Sequence, residues 1–319
     1  MRVLGPLILI VILFRLNLRE LWKSILQVEI FPLTMAYLIL LPAVFLRSVR
    51  WRVLLVSQKI RLGYWEAFTV YAFSVFVGTL TPGRIGEFVK AVHLRNRGNS
   101  LGVALSSVLL DRVLDVLILL IFAFGALFSF NLHKRESFST AFLVLLIFIL
   151  GSALLWFCTR GKGYEIFQRL FGVFIPPRIK GRLLKEYKAF CVGFQLINPI
   201  AFLTALLLSI FAWCINYYAV YLCGKSLGFE ISFFQMLSLA AVCALVSMVP
   251  VSVMGLGTRD AAMILMLGRY GVTEAEAVAF STLILSMVVF NAILCSFSLL
   301  TPAGKLDFQK RSMESPTRA

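Results

Sequence analysis

Twice in this chain an apolar stretch stops at a Pro/Gly break that carries an arginine and an acidic residue, and a second, short apolar stretch follows. The first copy runs from Phe68 to Leu80, breaks at Thr81-Pro82-Gly83-Arg84-Ile85-Gly86-Glu87 and resumes from Phe88 to Leu94. The second runs from Phe233 to Val249, breaks from Pro250 through Gly255-Leu256-Gly257-Thr258-Arg259-Asp260 and resumes from Ala261 to Leu267. As helices, the arms 66–80 and 84–95 would be roughly 22 Å and 18 Å long. Neither crosses a hydrocarbon core of roughly 30 Å. Each pair of arms is therefore expected as a re-entrant helical hairpin, with Pro82, Gly83, Gly86, Pro250, Gly255 and Gly257 forming the breaks. Unpaired backbone at such a break is tolerated only where protein or water surrounds it. Paired broken segments point to a binding site near the bilayer midplane.

The membrane setting follows from composition. The chain is 60% hydrophobic and only 14% charged, where soluble domains carry roughly 25% charged residues. One polytopic, all-α membrane domain is expected over 1–304, with a cytoplasmic tail at 305–319. Full spans are expected at about 3–18, 31–49, 101–130, 138–158, 199–223 and 275–300, which gives about six transmembrane helices beside the two hairpins. The run Val3 to Phe14 reads as a first membrane helix and not as a cleaved signal. It is short, so either it tilts in with Leu16 and Leu18 or the true start differs from Met1.

The net charge of +16 is scattered between apolar segments. That pattern argues for topology and anionic lipid as partners and against nucleic acid. Lys and Arg outside the broken segments fall about three to one on one side, which places that side and both termini in the cytoplasm. Three spans separate the hairpins, so the second enters from the opposite face. Units at about 64–130 and 231–300 then form an inverted-topology repeat, as in alternating-access transporters; two ordinary kinked helices are the alternative. In the segment 161–198, Lys180 to Phe190 interleaves basic and apolar residues. It reads either as a basic amphipathic helix on the inner leaflet or as a solvated linker helix. Six cysteines without C-x-x-C spacing and two histidines give no disulfide framework, metal site or cofactor to expect.

Three places carry chemistry. Arg84, Glu87 and Lys90 are spaced by three and would share one face of a short helix after Pro82-Gly83. With the helix N-terminus and the room left by Gly83 and Gly86, they suit an anion such as a phosphate. The plainer alternative is an Arg84–Glu87 pair that only satisfies the hairpin. In the second break, Arg259 and Asp260 open a half-helix. If the hairpins meet, Arg84 and Arg259 face one cavity, with Thr81, Ser252 and Thr258 adding hydroxyls. In the third place, Ser107, Asp111 and Asp115 recur every four residues and make one polar stripe, with Arg112 beside it. Each unpaired charge at depth costs roughly 3 kcal/mol, so the set must be paired: Arg112 with Asp115, and Asp111 with Arg84 or Lys90. It either carries protons or fixes helix packing. Arg47 and Arg50-Trp51-Arg52, placed after the helix 31–49, read as interface anchors, with headgroup holding as the less favoured option.

Arg50-Trp51-Arg52-Val53-Leu54-Leu55, the Thr81–Glu87 turn, Leu109-Leu110-Asp111-Arg112-Val113-Leu114-Asp115 and the Pro250–Asp260 break together resemble the lysylphosphatidylglycerol synthase transmembrane, or flippase-like, family over about 1–300. The chain departs from the family pattern at Asp111 and Asp260, where Glu is common; both changes keep the charge. In two-domain relatives this membrane unit moves aminoacylated phospholipid while a separate soluble domain attaches the amino acid. The resemblance implies translocation without that catalytic domain, in a bacterial or archaeal cytoplasmic membrane. Standalone relatives are linked to envelope lipid and isoprenoid-linked glycan pathways, including hopanoid handling. The expected function is a non-enzymatic lipid translocator. Arg84, Lys90 and Arg259 would hold an anionic headgroup, with Thr81, Thr258, Glu87 and Asp260 around it. The alternatives are a membrane enzyme or enzyme subunit acting on lipid-linked substrates, or a scaffold for envelope enzymes.

Overall fold

Apolar runs uninterrupted by breakers satisfy their backbone hydrogen bonds internally, and that is how this chain resolves. The computed structural model describes residues 18–129, 177–248 and 257–300, with Gly151, Glu165 and Arg169; every regular element among them is helical. The spans expected at 3–18 and 138–158 lie outside the described residues. Among the described residues, three helices are long and apolar enough to cross a membrane: α2 (Ile30–Ser57), α7 (Pro199–Ser226) and α10 (Glu274–Ser296), the last prolonged by a 3₁₀ turn, Phe297–Leu300. A short helix, α1 (Leu18–Leu26), precedes them and rests on α10.

In each broken segment two shorter helices precede a long one. In the first, α3 (Tyr64–Leu80) is followed by a 3₁₀ segment, Pro82–Phe88, then α4 (Val89–Asn96) and the long α5 (Leu101–Ser129). In the second, α8 (Phe233–Met248) and α9 (Thr258–Leu267) precede α10. Sequence sets the helix starts. The Asn198 side chain accepts the Ala201 N–H at 2.7 Å to open α7, and Thr273 with Glu276 forms a capping box at α10.

Beside a small cluster of Leu54, Leu110, Leu114 and Ala205, two larger packed cores stand among the described residues. One joins α7, α8 and α10 through Trp213, Tyr217, Phe229, Met236 and Phe280. The other joins α2, α3, α4 and α5 through Trp51, Tyr71, Leu94 and Val108. Helix α6 (Pro177–Gln195) lies hard against α5: a Cβ on Gly102 would stand 2.0 Å from the Glu186 carbonyl oxygen. The Gln58 amide bonds both Ser106 and Gly193 at this seam. The basic residues Lys180, Arg182, Lys185 and Lys188 of α6 stay exposed.

One expectation is corrected. The helix anticipated at 31–49 continues to Ser57, so Arg47, Arg50 and Trp51 lie inside it, and all three are buried. These three are not interface anchors, and Arg47 and Arg50 are no longer loop charges; Arg52, inside the same helix, is half-buried and donates to the Leu62 carbonyl at 3.0 Å. The physical reason is the three residues' partners on α5 and α7, which no single helix displays.

Candidate functional site

Arg50 is fully buried, and its guanidinium spans two carboxylates of the α5 stripe. Its Nη2 donates to Asp111 Oδ1, and its Nη1 donates to Asp115 Oδ1 at 2.6 Å and to Ser209 on α7 at 3.0 Å. Lys90, also fully buried, pairs with Asp111 Oδ2 at 2.7 Å and sits 4.3 Å over the Tyr71 ring. Arg112 reaches Glu87 and Asp115 at 2.7 Å each. The Trp213 indole N–H donates to Asp115 at 3.0 Å. Arg50, Lys90 and Arg112 thus face Glu87, Asp111 and Asp115, a set of balanced charge that ties α2, α4, α5 and α7 together. A buried charge left without its partner is costly, which is why the four-residue spacing on α5 needs cations from other helices.

The first break differs from the helix start that its sequence suggests. Gly83 and Arg84 are left-handed, with φ of 62° and 56°, and α4 begins only at Val89. Arg84 therefore does not share a helix face with Glu87 and Lys90. The Thr81 hydroxyl is committed to the turn: it donates to Val77 O and Gly78 O and accepts the Gly86 N–H at 2.7 Å. Gly86 packs against the backbone of Val77, where a Cβ would stand 2.5 Å from the carbonyl oxygen. The left-handed residues turn the Arg84 side chain away from the network. It is 45% exposed and only loosely paired with Glu87, at 3.8 Å. Glu87 and Lys90 belong to the buried network.

In the second break, Pro250, Ser252 and Gly255 lie outside the described residues. Gly257 adopts a positive φ of 79° before α9. Asp260 Oδ2 accepts the Gly257 N–H at 2.8 Å, capping the helix, while its Oδ1 accepts the Ser281 hydroxyl. Arg259 Nε donates to the same hydroxyl at 2.9 Å, and its Nη2 lies 3.5 Å from Asp260. Thr258, half-buried, is the first residue of α9.

Arg84 and Arg259 line one cavity of about 180 Å³. Its walls come from both broken segments and from α5, α7 and α10, and they are mostly apolar, with Trp213, Tyr217 and Asn216 on the α7 side. Thr81 and Gly83 also border it. Few charges in a concave apolar wall is the usual composition of a ligand site.

Sequence reasoning singled out Arg50, the hub of the network, and Arg47, but as interface anchors and not as buried residues. The guanidinium of Arg47 lies 4.3 Å over the Trp213 ring. The available signal was an apolar pattern that continues through Val53, Leu54 and Leu55 beyond both arginines.

Comparison with known proteins agrees with the residue pattern. A membrane protein of Pyrococcus horikoshii, the UPF0104 membrane protein PH1989, is 24% identical over 303 residues, covering 88% of this chain and 90% of the relative. The sequence profile of the lysylphosphatidylglycerol synthase TM region matches residues 2–295. The chain is thus a membrane protein with several apolar helices, and it belongs to the lysylphosphatidylglycerol synthase TM region family.

Proposed function

We propose that this protein translocates an anionic lipid across the cytoplasmic membrane, holding the headgroup between Arg84 and Arg259. The observation that carries this reading is the shared cavity, to which each broken segment contributes one arginine. A guanidinium suits a phosphate because its planar donors match two oxygens at once. The mostly apolar wall suits the region where headgroup meets acyl chain. We read α3 with α4 and α8 with α9 as re-entrant hairpins in an inverted repeat, with the site between them. The family's lipid-linked name supports lipid as the substrate class. The protein acts on this reading as a carrier and not as a catalyst.

The test is translocation of headgroup-labelled anionic phospholipid in proteoliposomes, read with an impermeant quencher. Arg84 is partly exposed and outside the balanced network, so Arg84→Ala should fold normally. It should slow translocation about tenfold or more, the scale of one charge-assisted contact. Equal rates in variant and wild type would refute the assigned site. Absence of movement with well-folded wild type across several lipid classes would refute the function.

A further inference from the structure

We propose that the ligand of this cavity carries two negative charges on one phosphate-type group, as a phosphate monoester or a diphosphate does, and that Arg47 supplies the second positive charge. The inference rests on the headgroup site proposed above. The buried network is balanced: Arg50, Lys90 and Arg112 against Glu87, Asp111 and Asp115. Arg259 and Asp260 form a second balanced pair. Among the described residues at the network and the cavity, two cations remain over. Arg84 is only loosely tied to a Glu87 that Arg112 already holds. Arg47 is 8% exposed, and its Nε and Nη2 have no hydrogen-bond partner among the described residues.

A nearly buried guanidinium without a carboxylate of its own is costly, and this one stands directly behind the cavity wall. It stacks on one side of Trp213, and Tyr217 stacks on the same indole with ring centroids 5.5 Å apart. Both aromatic residues line the cavity. Arg84, Arg50 and Asp115 lie within electrostatic range of Arg47, but Asp115 already serves Arg50, Arg112 and Trp213. The low-dielectric wall lets the charge act across the indole. A dianion would neutralise the surplus. A phosphodiester, with one charge, would leave half of it.

The experiment measures binding of labelled dioleoyl phosphatidic acid and dioleoyl phosphatidylglycerol to the purified protein in nanodiscs at about pH 8, where the monoester is doubly charged. Wild type should prefer the monoester by about tenfold or more. Arg47→Gln should lose that preference while still binding the diester, and Arg47→Lys should keep it. Equal affinity of wild type for both lipids would overturn the dianion assignment and leave the anionic-lipid site standing. Binding of neither would overturn both readings. Competition by inorganic phosphate as effective as the lipid would support the dianion chemistry and identify a free anion as its source. Should Arg47→Gln not fold, wild type alone decides. Monoester affinity should rise from about pH 5 to 8 as the second phosphate proton leaves, with diester affinity flat; parallel behaviour of the two lipids would overturn the proposal.

Discussion

Arg50→Met is expected to lose about 3–5 kcal/mol of stability, the cost of stranding buried charge. The variant keeps the volume and apolar contacts of the side chain but leaves Asp111 with Lys90 and Arg112, and Asp115 with Arg112 alone. It also removes the donor to Ser209, so the tie between α2 and α7 weakens. Thermal unfolding in detergent measures the effect. Adding Asp115→Asn should restore part of the loss, because the two remaining cations, Lys90 and Arg112, then face two carboxylates and no surplus negative charge stays buried. Arg97→Ala is the control: Arg97 pairs with Glu66 at 2.7 Å but is 48% exposed, and such a pair is worth about 1 kcal/mol or less. A midpoint for Arg50→Met equal to that of Arg97→Ala would refute the hub role.

Gly86→Ala is expected to lower stability by about 1–3 kcal/mol, the range for overpacking a tight contact, and to bring translocation to background. The added methyl meets the carbonyl oxygen, carbonyl carbon and Cγ1 of Val77, all within 2.7 Å. Two of these are backbone, so the 3₁₀ segment must lift away from α3. Lifting it draws out the Gly86 N–H that Thr81 holds and shifts Glu87, whose side chain runs across Gly78. Arg84 moves with them. The proteoliposome assay and a melting curve on the same preparation test this together. An active Gly86→Ala protein with an unchanged midpoint would show that the close contact is not needed.

The parts that proved legible in the sequence are those where one element carries its own signal. Asp111 and Asp115 announce a shared face by spacing alone, and their need for cations led to Arg112 and to Arg84 or Lys90, of which Lys90 is the partner of Asp111. The breaks between α3 and α4 and between α8 and α9 were legible because Pro and Gly interrupt long apolar runs. Arg50 was not. An arginine inside an apolar helix and an arginine just past its end look alike in one dimension, and only partners from α5 and α7 distinguish them. The turn geometry at Arg84 was also hidden. Pro82-Gly83 suggests a helix start, but the Thr81 hydroxyl captures the Gly86 amide and holds Arg84 in a left-handed conformation. Ser281 stood in the sequence as one polar residue among several on α10; its role in joining Arg259 to Asp260 is purely tertiary.

The balanced network also bears on how the protein is made. Apart from Asp111, Arg112 and Asp115, α5 consists of apolar and small residues. Those three charges make its solitary partition from the translocon into lipid unfavourable, at about 2.5–3.5 kcal/mol for each at the helix centre. The counter-charges Arg50 and Lys90 lie on α2 and α4, which the ribosome delivers first. Biogenesis is therefore expected to be ordered: α5 should leave the insertion machinery against a partner already delivered, and a chain lacking that partner should be held back there as an unassembled precursor.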